Sequence, residues 1–215
     1  MTQDTDTALS PDVLLEARER ARELIRCGFQ EPDEIAESLV EVLDDQGLTQ
    51  EEAERIVAPL WTERLAEQAH WPETTDVDRL MDAFDLLEDQ GIVAAMDFTC
   101  CAGCGYAEIG GEADEDSRGF VFFHQQDTEA AAAGRGLMLR YGAFSTGEAP
   151  GGETDGESDA ESDAESEEAA GRRTAEIGRT VVAALEAVGL PVEWNGSPRT
   201  AIRVAPLEWL NRLPE

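Results

Sequence analysis

Residues 91–109 read GIVAAMDFTCCAGCGYAEI, and the hydrophobic period of the chain changes within them. Before this stretch apolar residues recur every three or four positions. From Ile92 they form a short run, IVAAMDF, bounded by Gly91 and a cluster of cysteines. A compact apolar run of this length between breakers predicts a strand. Residues 92–98 are therefore expected to open a sheet. Residues 100–105 are expected to turn, and 106–109 to resume the sheet.

Working outward toward the N-terminus, the pattern is helical. Residues 1–9 are polar and predict a flexible tail. Ser10-Pro11-Asp12 is a helix start, with Ser10 as N-cap and Pro11 in the first turn, and Gly28 stops that helix after Cys27. A second helix opens at Pro32 and carries Ile35, Leu39, Val42 and Leu43 on one face before Gly47. Thr49 with Glu52 forms a capping box for a third helix, which Pro59 is expected to kink or divide and Pro72 to end. A fourth starts at Asp76 with a broad stripe of Val77, Leu80, Met81, Phe84, Leu86 and Leu87.

Toward the C-terminus, 110–118 predict an acidic loop and 120–125 a strand. Asp127 is expected to cap a short alanine-rich helix, and 137–141 to form another strand. Residues 145–171 are Gly, Ser, Ala and acid, with the tandem ESDA ESDA at 157–164. Such a composition cannot bury a core, so this segment is expected to be a disordered acidic insertion. Ile177, Val181, Ala184, Leu185 and Val188 define an amphipathic helix. Residues 191–194 and 202–204 flank the turn Asn195-Gly196-Ser197-Pro198 as a hairpin, and 207–213 predict a closing helix. The expected fold is α+β. An N-terminal helical region, 10–91, precedes a small mostly antiparallel or mixed sheet domain, 92–215, with helices packed on one face.

Charge is the outlier of the composition. The 215 residues hold 48 acids against 16 bases, a net charge of -32, and every base is Arg. Setting aside the ten acids of 148–168 still leaves -22. At low salt such charge repels itself, whereas near molar salt the screening length falls to about 3 Å. An acidic, lysine-free chain with acids along its whole length predicts a salt-rich cytoplasm. The same charge argues against a nucleic-acid partner, because phosphate binding relies on basic patches. The N-terminus lacks the pattern of a signal peptide, and no apolar run approaches the roughly 18 residues that span a bilayer. No membrane role is expected.

The chemistry-bearing residues are few. Cys101-Ala102-Gly103-Cys104-Gly105 has the C-x2-C-G form of a zinc knuckle, in which two thiolates grip one ion. A second paired motif is absent, so the remaining ligand candidates are His124, Cys100 and Cys27. By strand alternation Cys100 falls in phase with Phe98 and could face the core instead. Three readings stay open: inert thiols; a metal site using Cys101, Cys104 and His124; and a redox dithiol without the thioredoxin-like βαβ setting. His124 lies on the Phe120/Phe122 face of its strand, where a hydrogen-bonded core histidine competes with a ligand. There is no G-x-S-x-G elbow, phosphate loop or H-E-x-x-H, and the absence of Lys excludes Schiff-base chemistry.

The segments 91–109, GFVFFHQQDTE at 119–129 and GLPVEWNGSPRTAIRVAPLEWLNRL at 189–213 together resemble an uncharacterised prokaryotic family, a domain of unknown function. Its members share a CC-x2-CG turn, an HQQDTE segment and a final W-[ND]-G hairpin, and the acidic composition is of haloarchaeal type. The likeness covers most of the chain from about residue 76, more loosely the helices before it, and departs at the long acidic insertion. It implies that 76–215 is one structural unit and carries no known activity. The expected function is a non-catalytic binding or regulatory protein with a cysteine-rich structural turn, zinc as its possible cofactor, and a protein or small molecule as partner. The alternative is a metal- or thiol-dependent enzyme using Cys101, Cys104 and His124.

The acid excess has a direct consequence for stability. Native structure is expected to be lost below roughly 0.5 M KCl as screening weakens. Thermal melts across a KCl series check this, and a melting temperature independent of salt would contradict it.

Overall fold

A computed structural model describes residues 9–144 and 160–214. The chain divides into two compact units, 1–75 with 209–215, and 76–208. Among the described residues no helix is long and apolar enough to cross a membrane.

The first unit is helical. Helix α1 is Pro11–Cys27, with the Ser10 hydroxyl accepting from Val13 N–H and Gly28 closing it at φ 78°. Helix α2 is Pro32–Val42, followed by a 3₁₀ turn at Asp44–Gln46. Helix α3 is Gln50–Gln68, opened by the Thr49/Glu52 capping box. Pro59 lies inside α3 and does not divide it. The core comes from Ala17, Ala21 and Ile25 of α1, Ile35 and Leu39 of α2, and Ala53, Ile56 and Val57 of α3. Val42, expected on the same face as Leu39, is exposed.

The closing segment is not the expected helix. In 207–213, Leu207, Trp209, Asn211 and Leu213 are buried, every second residue, which is the period of extended chain. Within the first unit its side chains satisfy the end of α1. Asn211 Nδ2 donates to the carbonyls of Cys27 and Gly28 at 2.9 and 3.1 Å, and Trp209 Nε1 donates to Cys27 O at 3.2 Å. Orphan helix-end carbonyls thereby gain partners that a helical 207–213 would have spaced differently. Any β-carbon at Gly28 would lie 2.9 Å from Asn211, so that position is closed to larger residues.

The second unit begins with helix α4, Asp76–Glu88, a helix the sequence placed in the helical region. Its inward face is Val77, Leu80, Ala83, Phe84 and Leu87, whereas Met81 and Leu86 are exposed. The sheet comprises β1 Ile92–Ala95, β2 Gly119–Phe122, β3 Leu137–Ala143, β4 Val192–Glu193 and β5 Ile202–Val204. The strand order is β1-β2-β3-β5-β4, with β1 parallel to β2 and all other pairs antiparallel. The sheet is thus mixed.

A parallel pair needs a crossover rather than a hairpin. Residues between β1 and β2 supply it as helix α5, Ala102–Glu108, and a 3₁₀ turn, Ile109–Glu112. The expectation that 100–105 is only a turn and 106–109 a strand is therefore corrected. Gly105 and Ile109 are buried four residues apart, a helical spacing, and Tyr106 meets Phe120 and Phe122 edge-on at 6.0 and 5.3 Å. This crossover covers the Phe120/Phe122 face of β2. On the Gly119/Val121 face lies α7, Ala160–Ala187, where Ile177 approaches Gly119 and Gly178 approaches Tyr141. Helix α7 starts within the segment expected to be a disordered insertion, so from Ala160 onward that expectation is replaced by helix. Residues 145–159 lie outside the described residues.

Candidate metal centre

The parallel pairing of β1 and β2 continues past both strand ends. Phe123 N–H donates to Ala95 O at 3.3 Å, Phe98 N–H to Phe123 O at 2.8 Å and Gln125 N–H to Thr99 O at 3.2 Å. Between these bonds the chain takes two left-handed residues, Asp97 at φ 51° and Thr99 at φ 59°. Neither is glycine, and each such conformation costs about 1–3 kcal/mol and persists only where the surroundings enforce it. The enforcement is visible. Thr128 Oγ1, fully buried, donates to Asp97 Oδ1 at 2.5 Å, and Thr99 Oγ1 donates to Cys101 O at 3.1 Å. Burial pushes the Asp97 carboxyl up, and the Thr128 hydrogen bond works against that rise.

The left-handed residues break strand alternation just before the cysteines. Cys100, which alternation would allow to face the core, is exposed, and Cys101 and Cys104 are half-buried. Cys101 occupies the N-cap position of α5. The three sulfurs lie within 4.8 Å of one another, with Cys100 Sγ and Cys104 Sγ 3.6 Å apart. One tetrahedral ion with sulfur–metal bonds of about 2.3 Å holds its sulfurs about 3.8 Å apart. The spacing fits a single thiophilic ion. The thiols are unequal. The Cys101 thiol is held below its ordinary value, first by the backbone N–H of Cys104, then by its two neighbouring thiols and the Gly103 N–H. These N–H groups face Cys101 without completing a capping hydrogen bond. The Cys104 thiol is pushed up to about 11, chiefly by its contacts with Cys100 and Cys101.

Of the five candidate ligands, the structure groups Cys100, Cys101 and Cys104, and neither His124 nor Cys27 is a member of that group. His124 is buried as the N-cap of helix α6, Gln125–Ala132, a role expected of Asp127. Its Nδ1 accepts from Asp127 N–H at 3.3 Å, and its Nε2 lies 3.0 Å from Asp127 Oδ2. With Nδ1 accepting from Asp127 N–H, the hydrogen-bond pattern assigns the donor proton to Nε2, facing the Asp127 carboxyl. Burial lowers the His124 pKa and raises that of Asp127, against the pull each exerts on the other. Arg140 of β3 stands 3.5 Å from Asp127 Oδ1. The HQQDTE segment thus caps α6 and, through Thr128, fixes the loop that leads to the cysteines. Cys27 is buried in α1 of the other unit. His70 bonds the Ala66 carbonyl at 2.8 Å.

A model of a domain of unknown function, DUF6891, matches residues 10–213. The chain belongs to the DUF6891 family. No curated protein and no solved structure matches it. In this DUF6891 chain the CC-x2-CG turn and the HQQDTE segment follow the carboxyl ends of two neighbouring parallel strands, and Gln125 N–H bonds the Thr99 carbonyl just before the turn. That edge of a sheet is where ligands commonly bind. The β1–α5–β2 unit also supplies the βαβ setting that the sequence alone did not reveal.

Signals for Asp97, Thr99 and Thr128 were weak in the sequence. Their importance comes from contacts made 31 residues apart and from backbone angles that residue type does not disclose. The glycine of C-x2-C-G has a packing role. A β-carbon on Gly105 would lie 2.7 Å from Phe122 Cζ, and closer still to its Cε2. Overpacking of this kind costs about 1–3 kcal/mol. Gly105→Ala is therefore expected to lower thermal stability despite alanine's better helix propensity. Melts of both proteins in molar KCl check this, and an unchanged or raised midpoint would contradict the packing.

Proposed function

We propose that this protein is a non-catalytic metal-binding module whose Cys100–Cys101–Cys104 turn holds one thiophilic ion, zinc in the first instance. The observation that carries the reading is the convergence of three thiols within 4.8 Å on an exposed turn. Soft thiolate ligands favour zinc or cuprous ions over magnesium or calcium. Structural zinc sites close with four protein ligands, whereas three leave a position open. Among the described residues the group has three members. A fourth ligand is then available to a protein or small-molecule partner, which supports a binding or regulatory role. The net charge of -32 and the absence of Lys support work in a salt-rich cytoplasm.

The alternative, an enzyme using Cys101, Cys104 and His124, requires the imidazole to act on substrate or metal. Both His124 nitrogens are instead engaged by Asp127 inside the fold. A positioning role for His124 is better supported than a ligand role.

Zinc content and affinity in molar KCl test the proposal. One zinc per chain is expected. Cys101→Ser or Cys104→Ser should weaken binding by more than the roughly 10–100-fold that loss of an outer-shell partner costs. His124→Asn, which retains a capping side chain, should keep the one-to-one stoichiometry. Absence of zinc from the reduced protein, or affinity indifferent to both cysteine substitutions, would overturn the reading.

A further inference from the structure

The metal reading uses the three sulfurs as ligands and leaves their reactivity toward one another unused. Cys100 is the exposed member, and its sulfur is 3.6 Å from that of Cys104. A disulfide bond is about 2.05 Å long, so the two sulfurs need to approach by roughly 1.5 Å, within the range of side-chain rotation. Cys104 sits in the first turn of α5, next to Gly105, whose close packing on Phe122 fixes that turn. Cys101, at the N-cap position of α5, has its sulfur within 4.8 Å of those of both Cys100 and Cys104. The geometry therefore sets the exposed sulfur against the sulfur of the packed first turn, with the third at the start of the helix.

We infer that Cys100 and Cys104 are a thiol–disulfide exchange pair that accepts small-molecule disulfides and, by closing, releases the bound metal. The chemistry balances in two steps. The Cys100 thiolate attacks one sulfur of the disulfide RSSR, forming Cys100–S–S–R and expelling RS⁻. The Cys104 thiol gives its proton to solvent and its sulfur attacks Cys100 Sγ. The internal disulfide forms, the Cys100–SR bond breaks and a second RS⁻ leaves. The protein dithiol is oxidised by two electrons, and RSSR is reduced to two thiols. Excess thiol reverses both steps. Closure removes two of the three sulfur ligands, because metals bind thiolates and not disulfide sulfurs. The exchange needs no metal; its consequence for zinc rests on the proposed metal site.

The test treats the reduced, metal-free full chain with oxidised glutathione in molar KCl and maps its cysteines by peptide mass spectrometry. The expected product is one internal disulfide, Cys100–Cys104, with two glutathiones released per disulfide consumed and Cys27 unmodified. Cys104→Ser should stop at a glutathione adduct on Cys100, and Cys101→Ser should still close. A Cys101–Cys104 or Cys100–Cys101 bond in the wild-type protein would overturn the assignment, as would an adduct on Cys100 that never resolves. In a second arm the zinc-loaded chain receives the same reagent. Zinc release in step with closure supports the gate, and zinc retained after closure overturns it. Closure in a protein that never takes up zinc supports the exchange and contradicts the metal reading alone.

Discussion

The hydrogen bond from Thr128 to Asp97 is the contact on which the site depends. It joins the first turn of α6 to the loop beyond β1 and works with the backbone bonds Phe98–Phe123 and Gln125–Thr99. Together these hold Asp97 and Thr99 in left-handed conformations that neither residue favours. Strand alternation continued past β1 would put Cys100 on the same side as Phe98. With the two left-handed residues, the chain turns outward, Cys101 reaches the start of α5 and three sulfurs converge. Beside Asp97 and Thr99, Phe98 packs edge-on against Phe122 at 6.0 Å, and Phe122 is fully buried.

The same network gives the two distinctive motifs one physical job. His124 and Asp127 cap α6 reciprocally, which places Thr128 one turn in, beneath Asp97. Buried polar groups of this kind are stable only when their partners are present. Here Asp127 has His124 and Arg140, and Thr128 has Asp97 and the His124 carbonyl. The histidine that resembles a ligand in the sequence is thus part of the support beneath the cysteine turn.

Local rules read the helical unit well. Ser10, Pro11 and Gly28 mark the ends of α1, and Thr49 with Glu52 opens α3, because caps and breakers act within a few residues. The spacing failed where tertiary contact chose the period. Leu207, Leu210 and Leu213 suggest a helix, yet burial alternates through Trp209 and Asn211, whose donors serve the α1 carbonyls. Tyr106 and Ile109 suggest a strand, yet the parallel pairing of β1 and β2 demands a crossover, and both residues pack from a helical turn. At the site, Cys101 and Cys104 were legible from their motif. Cys100 is ambiguous because φ is not written in residue type at Asp97 or Thr99, and nothing local in the sequence separates a histidine that caps a helix from one that binds a metal.

A zinc ion seated on the cysteine turn would be bound by three sulfurs, those of Cys100, Cys101 and Cys104. X-ray absorption at the zinc edge of the loaded, reduced protein tests it most directly. Three sulfurs at about 2.3 Å and one lighter ligand near 2.0–2.1 Å are expected. A shell dominated by nitrogen and oxygen, or one with four sulfurs, would contradict it.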